Sequence, residues 1–210
     1  MGRMNTFLQL GDSYTIGEGV EAEDRWGDQL AHALRKEGVA VTNPHIVATT
    51  GWSTGELKAR LDALEPLGDD WGLVSLLIGV NNQYRGLPIE AYRTEFSELL
   101  SGAITYARGD ADRVLVLSIP DWSVTPFARS QGRDVTSEAA QIDAFNEVAR
   151  EACAAHAVRF VDITPLSRQY GGEVDMLVAD ALHPSATMYG LWAAQALPVV
   201  RQRPWVQSDT

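Results

Sequence analysis

Ser13, Asp180 and His183 are the residues whose types and spacing could do chemistry together. Ser13 stands in Gly11-Asp12-Ser13-Tyr14, directly after the apolar run Phe7-Leu8-Gln9-Leu10, and Asp180-Ala181-Leu182-His183-Pro184 lies towards the other end of the chain. A serine hydroxyl is a weak nucleophile until a base takes its proton, and a histidine serves best when a third group orients its ring. Asp180 and His183, three apart on a turn, can point the same way, so the carboxylate can hold one ring N–H. Pro184 biases His183 towards extended backbone and leads into a final helix. Each piece also has an ordinary structural reading. Glycine, aspartate and serine populate turns, and Asp180 would equally serve as a helix cap.

Acyl transfer at a serine further needs donors aimed at the oxyanion that develops on the substrate. Two stretches offer them: Thr50-Gly51-Trp52-Ser53-Thr54-Gly55 and Gly79-Val80-Asn81-Asn82. The backbone N–H groups of Ser13 and Gly51 and the side-chain amide of Asn81 are the candidate donors, with Gly55 an alternative to Gly51. A glycine presents no Cβ to an approaching oxygen, and an asparagine donates without a titrating charge. Trp52 and Tyr84, each just beyond a candidate donor, are candidate substrate-binding side chains; filling gaps between helix and sheet is their competing role. Asp12 reads as structural, holding its turn through backbone hydrogen bonds. His32, His45 and His156 read as helix surface, loop and helix end.

The elements that must position these residues alternate between strand and helix. Strand candidates are 6–10, 46–49, 73–78, 113–119 and 159–161, most of them almost continuously apolar, as strands covered on both faces are. Apolar residues at steps of three and four mark helices between Pro88 and Gly109, from about Asp134 to His156, and from Trp26 to Gly38. The last helix reads as Ala186 to Leu197, closed by Pro198. The segment between Pro120 and Gly132, with Trp122, Pro126 and Phe127, reads as a loop long enough to form a pocket wall. This alternation implies an α/β fold, a three-layer α/β/α sandwich around a mostly parallel five-stranded sheet. All four motif stretches follow strands or precede the last helix, hence share one rim of that sheet, where open α/β sheets bind ligands.

The chain of 210 residues, 45% hydrophobic and 21% charged, reads as a single domain over 1–210 with an ample core. Its net charge of -11 disfavours nucleic-acid partners and anionic membrane surfaces. No run is long enough to span a membrane, and the first residues do not resemble a signal peptide, so the expectation is a cytoplasmic protein without stable membrane insertion. The one cysteine, Cys153, excludes an internal disulfide and lies on the apolar side of a helical pattern, where a thiol is buried and inert.

Taken in order, Gly11-Asp12-Ser13-Tyr14, Gly51, Asn81 and Asp180-x-x-His183-Pro184 resemble the blocks of the SGNH hydrolases, also called the GDSL esterase/lipase family, over nearly the whole chain. The resemblance implies an SGNH/flavodoxin-like sheet and a serine esterase acting on small-molecule esters, with no cofactor and no metal. It implies Ser13 as nucleophile, His183 as base, Asp180 as its partner, and an oxyanion hole from Ser13, Gly51 and Asn81. Two positions depart from the family pattern. Tyr14 replaces the leucine, a side-wall change, and Asn82 replaces the usual aspartate, removing a charge beside Asn81. Short acyl or acetyl esters are the expected substrates; lysophospholipids and acyl thioesters would use the same machinery. Two other classes compete. A metal-dependent phosphoesterase could use Asp12, Asn81, Asp180 and His183 as ligands, but such sites need more histidines and carboxylates. An inactive binding module would not need an intact nucleophile, base and acid.

Overall fold

The computed structural model describes residues 5–64 and 66–203. Residues 1–4, read above for a leader, lie outside the described residues. Five strands, β1 (Asn5–Gly11), β2 (Val41–Ala48), β3 (Leu73–Leu77), β4 (Val114–Leu117) and β5 (Arg159–Val161), form one all-parallel sheet in the order β2-β1-β3-β4-β5. Nine α-helices are described: α1 (Ser13–Ile16), α2 (Trp26–Lys36), α3 (Thr54–Ala63), α4 (Val80–Tyr84), α5 (Ile89–Tyr106), α6 (Pro126–Ser130), α7 (Val135–Ala155), α8 (Thr164–Tyr170) and α9 (Ala186–Arg201). Helices α2 and α9 pack together, as do α5 with α3 and α7. The expected three-layer sandwich is the architecture observed. No helix among the described residues is long and apolar enough to cross a membrane.

Burial explains the strand patterns. All residues of β3 and β4 are buried, as central strands with helices on both faces require. Strand β2 is one edge of the sheet, begins five residues earlier than its apolar run, and contains Pro44 and His45. An edge strand tolerates a proline that an inner one would not. His45 therefore sits in a strand and not in a loop, its ring 5.6 Å from that of Trp71.

The long helices begin where their caps predict. Asp134 accepts from Thr136 N (3.0 Å) and Ser137 N (3.3 Å) at the start of α7. The sequence reading closes the last helix at Pro198, whereas α9 continues to Arg201. Proline removes only its own N–H bond and crowds the previous turn. Val200, 1% exposed, anchors the final turn in the core and offsets that cost. The 120–132 segment is likewise not a plain loop: Trp122–Val124 forms a 3-10 turn and α6 follows, with Pro126 in its first turn. Helix α3 carries no apolar stripe to read, because only Thr54 and Leu57 are buried. Cys153 is buried, and burial pushes its thiol up to about 12.

Strand β1 is an inner strand; the chain moves from it to β2 on one side, then crosses back to β3 on the other. The crevice between the C-terminal ends of β1 and β3 is thus the topological switch point. Gly11 makes this point compact. A Cβ there would overlap the Thr15 side chain and the carbonyl oxygen of Leu77 on β3. Gly11→Ala is expected to destabilise the protein by roughly 1–3 kcal/mol, the cost of overpacking. Trimming Thr15 to alanine in the same chain should recover only part of that, since the Leu77 carbonyl and the Cβ of residue 15 remain. Urea-unfolding midpoints of the two variants check this; full recovery would mean the backbone contact is not limiting.

Candidate active site

The turn after β1 places Ser13 through its neighbours. Asp12 caps α1, its Oδ1 accepting from Tyr14 N at 3.0 Å, and Gly17 ends the helix in left-handed conformation after one turn. As the first residue of α1, Ser13 has no intrahelical acceptor for its N–H. Asp12 is fully buried, and its Oδ2 has no hydrogen-bond partner among the described residues. Burial pushes its carboxyl up to about 7 against the pull of the Tyr14 and Asp12 N–H groups.

The turn before α9 brings Asp180 and His183 to Ser13. It is pinned by an antiparallel bridge between Leu177 and Pro184, and Ala181 at its tip takes φ 60°, an uncommon conformation for a residue with a Cβ. The Ala181 carbonyl accepts from Phe127 N at 3.1 Å, which ties the tip to α6. Asp180 Oδ1 accepts from Leu182 N and His183 N, both at 2.9 Å, while Oδ2 lies 2.5 Å from His183 Nδ1. His183 Nε2 lies 3.0 Å from Ser13 Oγ. Burial alone would raise the Asp180 carboxyl, but the His183 ring and the backbone N–H groups of His183 and Leu182 outweigh it and hold it below the ordinary range. Helix α9 is capped instead by Ser185, so Asp180 is not its cap. The Tyr14 ring packs 5.5 Å from the His183 ring and 5.9 Å from Trp192, bracing the imidazole from behind.

The loop after β2 is tied down residue by residue. Thr50 donates to Glu18, the Gly51 carbonyl accepts from Arg85, and the Trp52 carbonyl accepts from Asn81 Nδ2 at 2.9 Å. Ser53 and Glu56 form a reciprocal capping box at the start of α3, and Arg85 reaches Glu56 at 3.0 Å. Gly51 adopts φ 86°, which favours glycine whatever the space around it. Gly55 lies inside α3 and does not line the cavity at Ser13.

Asn82 is buried and bonds to Thr54 in two ways. The Thr54 N–H can only donate, so Asn82 Oδ1 must face it (3.0 Å), and Asn82 Nδ2 then donates to Thr54 Oγ1 (2.7 Å). The Thr54 hydroxyl proton is directed to Glu95 of α5. A neutral amide at 82 thus suits a carboxylate at 95.

A cavity of about 190 Å³ opens onto Ser13, Gly51, Asn81 and His183. Tyr14, Val80, Tyr84, Trp122, Phe127 and Leu182 form its walls. Tyr84 lines it as expected, and Trp122 and Phe127 supply the wall expected of their segment. Trp52 does not line it: its ring packs, half-buried, against the core, and its carbonyl holds Asn81. Trp122 is fixed because its Nε1 donates to Gln83 at 2.8 Å, and Gln83 in turn donates to Glu138 at 2.5 Å. Arg133, paired with Glu138 at 2.7 Å, lies 5.3 Å from the rings of both Tyr84 and Trp122. Arg85, Glu18 and Glu95 carry no local sequence signal for these roles, whereas the capping box Ser53-x-x-Glu56 is a readable one.

The model of the GDSL-like lipase/acylhydrolase family matches residues 10–191. The chain belongs to that family. It is accordingly a hydrolase, and its architecture recurs in solved structures. A lipase/acylhydrolase from Enterococcus faecalis superposes with a TM-score of 0.74 at 23% identity, over 94% of this chain and 96% of that one. TesA gives 0.74 at 21% identity, over 94% and 98%. An acetyl xylan esterase from Geobacillus stearothermophilus gives 0.68 at 17% identity, over 95% and 96%. No curated protein matches the sequence.

Two predictions follow from these contacts. An unfolded Asp12 titrates near 3.8 and the folded one near 7, so between those values the folded chain holds a proton that the unfolded chain has lost. That contribution is fully present below about pH 4 and is lost as pH rises through about 7. Asp12→Asn abolishes it, so the variant should lose roughly 2–3 kcal/mol less stability than the native chain between about pH 5 and about pH 8. Urea titrations at the two pH values test this, and parallel losses would refute it. The second concerns the buried amide of Asn82. Asn82→Asp sets two carboxylates against one Thr54 hydroxyl and should destabilise the protein by about 1–3 kcal/mol. Glu95→Gln in the same chain should restore much of that loss, a coupling that a double-mutant cycle measures directly. Additive effects would mean that Asn82 and Glu95 do not share the Thr54 proton.

Proposed function

We propose that this hydrolase cleaves short-chain carboxylic esters through an acyl-enzyme on Ser13. The observation that carries the reading is the unbroken chain from Ser13 Oγ to His183 Nε2 (3.0 Å) and from His183 Nδ1 to Asp180 Oδ2 (2.5 Å). With Nδ1–H donated to an ionised Asp180, the Nε2 lone pair faces the Ser13 hydroxyl and takes its proton as Oγ attacks the ester carbonyl. The negative charge passes to the carbonyl oxygen. Candidate donors to it are Ser13 N–H, Gly51 N–H and the second Nδ2–H of Asn81, whose first is committed to the Trp52 carbonyl. Collapse of the tetrahedral intermediate breaks the C–O bond, and the imidazolium protonates the leaving alcohol. Water, deprotonated by His183, then attacks the acyl-enzyme; a second collapse frees the acid and returns the proton to Ser13.

The cavity supports a small acyl group. Its walls are largely aromatic and aliphatic, and its volume of about 190 Å³ lies below the roughly 300–1,000 Å³ of sites that enclose drug-sized ligands. An acetyl xylan esterase of the same fold is in keeping with a small acyl group.

Kinetics on an activated acetyl or butyryl ester test the assignment. Ser13→Ala and His183→Ala should each lower kcat by roughly 10⁴-fold or more while circular dichroism stays native, because nucleophile and base act as a unit. Asn81→Ala should lower kcat by roughly 10²–10³ with little change in KM, as expected of a donor that strengthens with developing charge. Comparable turnover by folded Ser13→Ala would overturn the serine mechanism. A rise in KM alone for Asn81→Ala would make that residue a substrate anchor.

A further inference from the structure

Next to the cavity at Ser13 lies a second, smaller void of about 20 Å³, whose lining includes Leu177, Met188 and Trp192. Three residues line both spaces and so form the partition between them: Tyr14, Trp122 and Leu182. Two of these are immobilised. Tyr14 is 3% exposed and packed between the rings of His183 and Trp192. Trp122 is 2% exposed and held through its Nε1 by Gln83, itself bonded to Glu138. Leu182 differs. Its side chain is half-buried and hydrocarbon only, and its backbone N–H is what bonds to Asp180. Shortening that side chain opens the partition without cutting any hydrogen bond of the turn.

We propose that Leu182 is the specificity-determining residue that closes the acyl cavity and limits the length of chain the enzyme accepts. The inference rests on the reading of Ser13 as the acylated nucleophile, since the chain it limits is the one attached there. Native Leu182 lines both the cavity and the void and stands between them. Leu182→Ala removes three carbons, and the space they vacate becomes continuous with the neighbouring void. A cavity so formed remains largely open, because the surrounding side chains relax only in part. Longer acyl chains then bury additional methylenes against Leu177 and Met188, each worth roughly fourfold in kcat/KM.

The test is kcat/KM for p-nitrophenyl esters from acetate to decanoate, on the native enzyme, Leu182→Val and Leu182→Ala. A parallel series varies the alcohol of acetate esters, and Ser13→Ala is carried through both. The expected result is a native kcat/KM that falls off within the series as the acyl chain lengthens. That fall-off should move outward by about two to four carbons in Leu182→Ala, with Leu182→Val between. The alcohol series should show no such shift. If Leu182→Ala does not fold, Leu182→Val, which loses one carbon, still reports the direction. Unchanged acyl profiles with turnover that still depends on Ser13, or a shift confined to the alcohol series, would overturn the role of Leu182 alone. Turnover that persists in Ser13→Ala would overturn the underlying reading with it.

Discussion

An inner strand that must end and become a helix within two residues is the constraint on which the rest of this structure depends. Gly11 meets it by having no side chain: Leu77 of β3 and Thr15 of α1 occupy the space where a Cβ would stand. Because β1 lies between β2 and β3, whatever follows it projects into the crevice at the switch point. The Asp12 cap then fixes the direction of α1, and Ser13 becomes the first helical residue, with its N–H unused inside the helix and its hydroxyl against His183. The other parts of the site are brought to this fixed point. The β3 exit brings Asn81, the β2 loop brings Gly51, and the turn before α9 brings Asp180 and His183.

Rigidity at the site comes from many small ties. Between Thr50 and Thr54 each residue has its own partner: Glu18, Arg85, Asn81, Glu56 and Asn82 in turn. Asp180 and His183 are held in the same way, since Asp180 bonds both the backbone and the ring of His183. Donors fixed before substrate arrives need little reorganisation as charge develops, which is where enzymes gain most from polar groups. Asn82 belongs to this system. By donating to Thr54 it sends the hydroxyl proton to Glu95, so a negative charge still backs the loop one residue further away.

That Ser13, Gly51, Asn81, Asp180 and His183 meet at one cavity was legible because each lies in a short run whose residue types suit only a few backbone geometries. The sheet was legible because β3 and β4 are apolar but for Ser75, a consequence of cover on both faces. Features decided by distant contacts were not. Nothing local distinguishes the alanine and leucine periodicity of a helix that stops at Pro198 from one whose last turn is anchored by Val200. Helix α3 offers the sequence almost no amphipathic stripe, although its capping box was there to be read. Trp52 looked like a pocket wall from its position beside Gly51, yet the loop turns its ring to the core and uses its carbonyl. Arg85 clamps Gly51 across 34 residues of chain, a relation no local pattern encodes.

The two sides of the sheet bear on how copies of this molecule meet in a crowded solution. A parallel sheet that ends in long, regular strands presents free backbone on which another chain's strand can be laid, the first step towards ordered aggregates. Here one margin is β2, interrupted by Pro44, which has no N–H to offer, and the other is β5, only three residues long and opened by the exposed Arg159. Neither margin offers a long uninterrupted ladder among the described residues. The same edge proline that broke the apolar pattern of β2 thereby protects the colloidal behaviour of the folded protein.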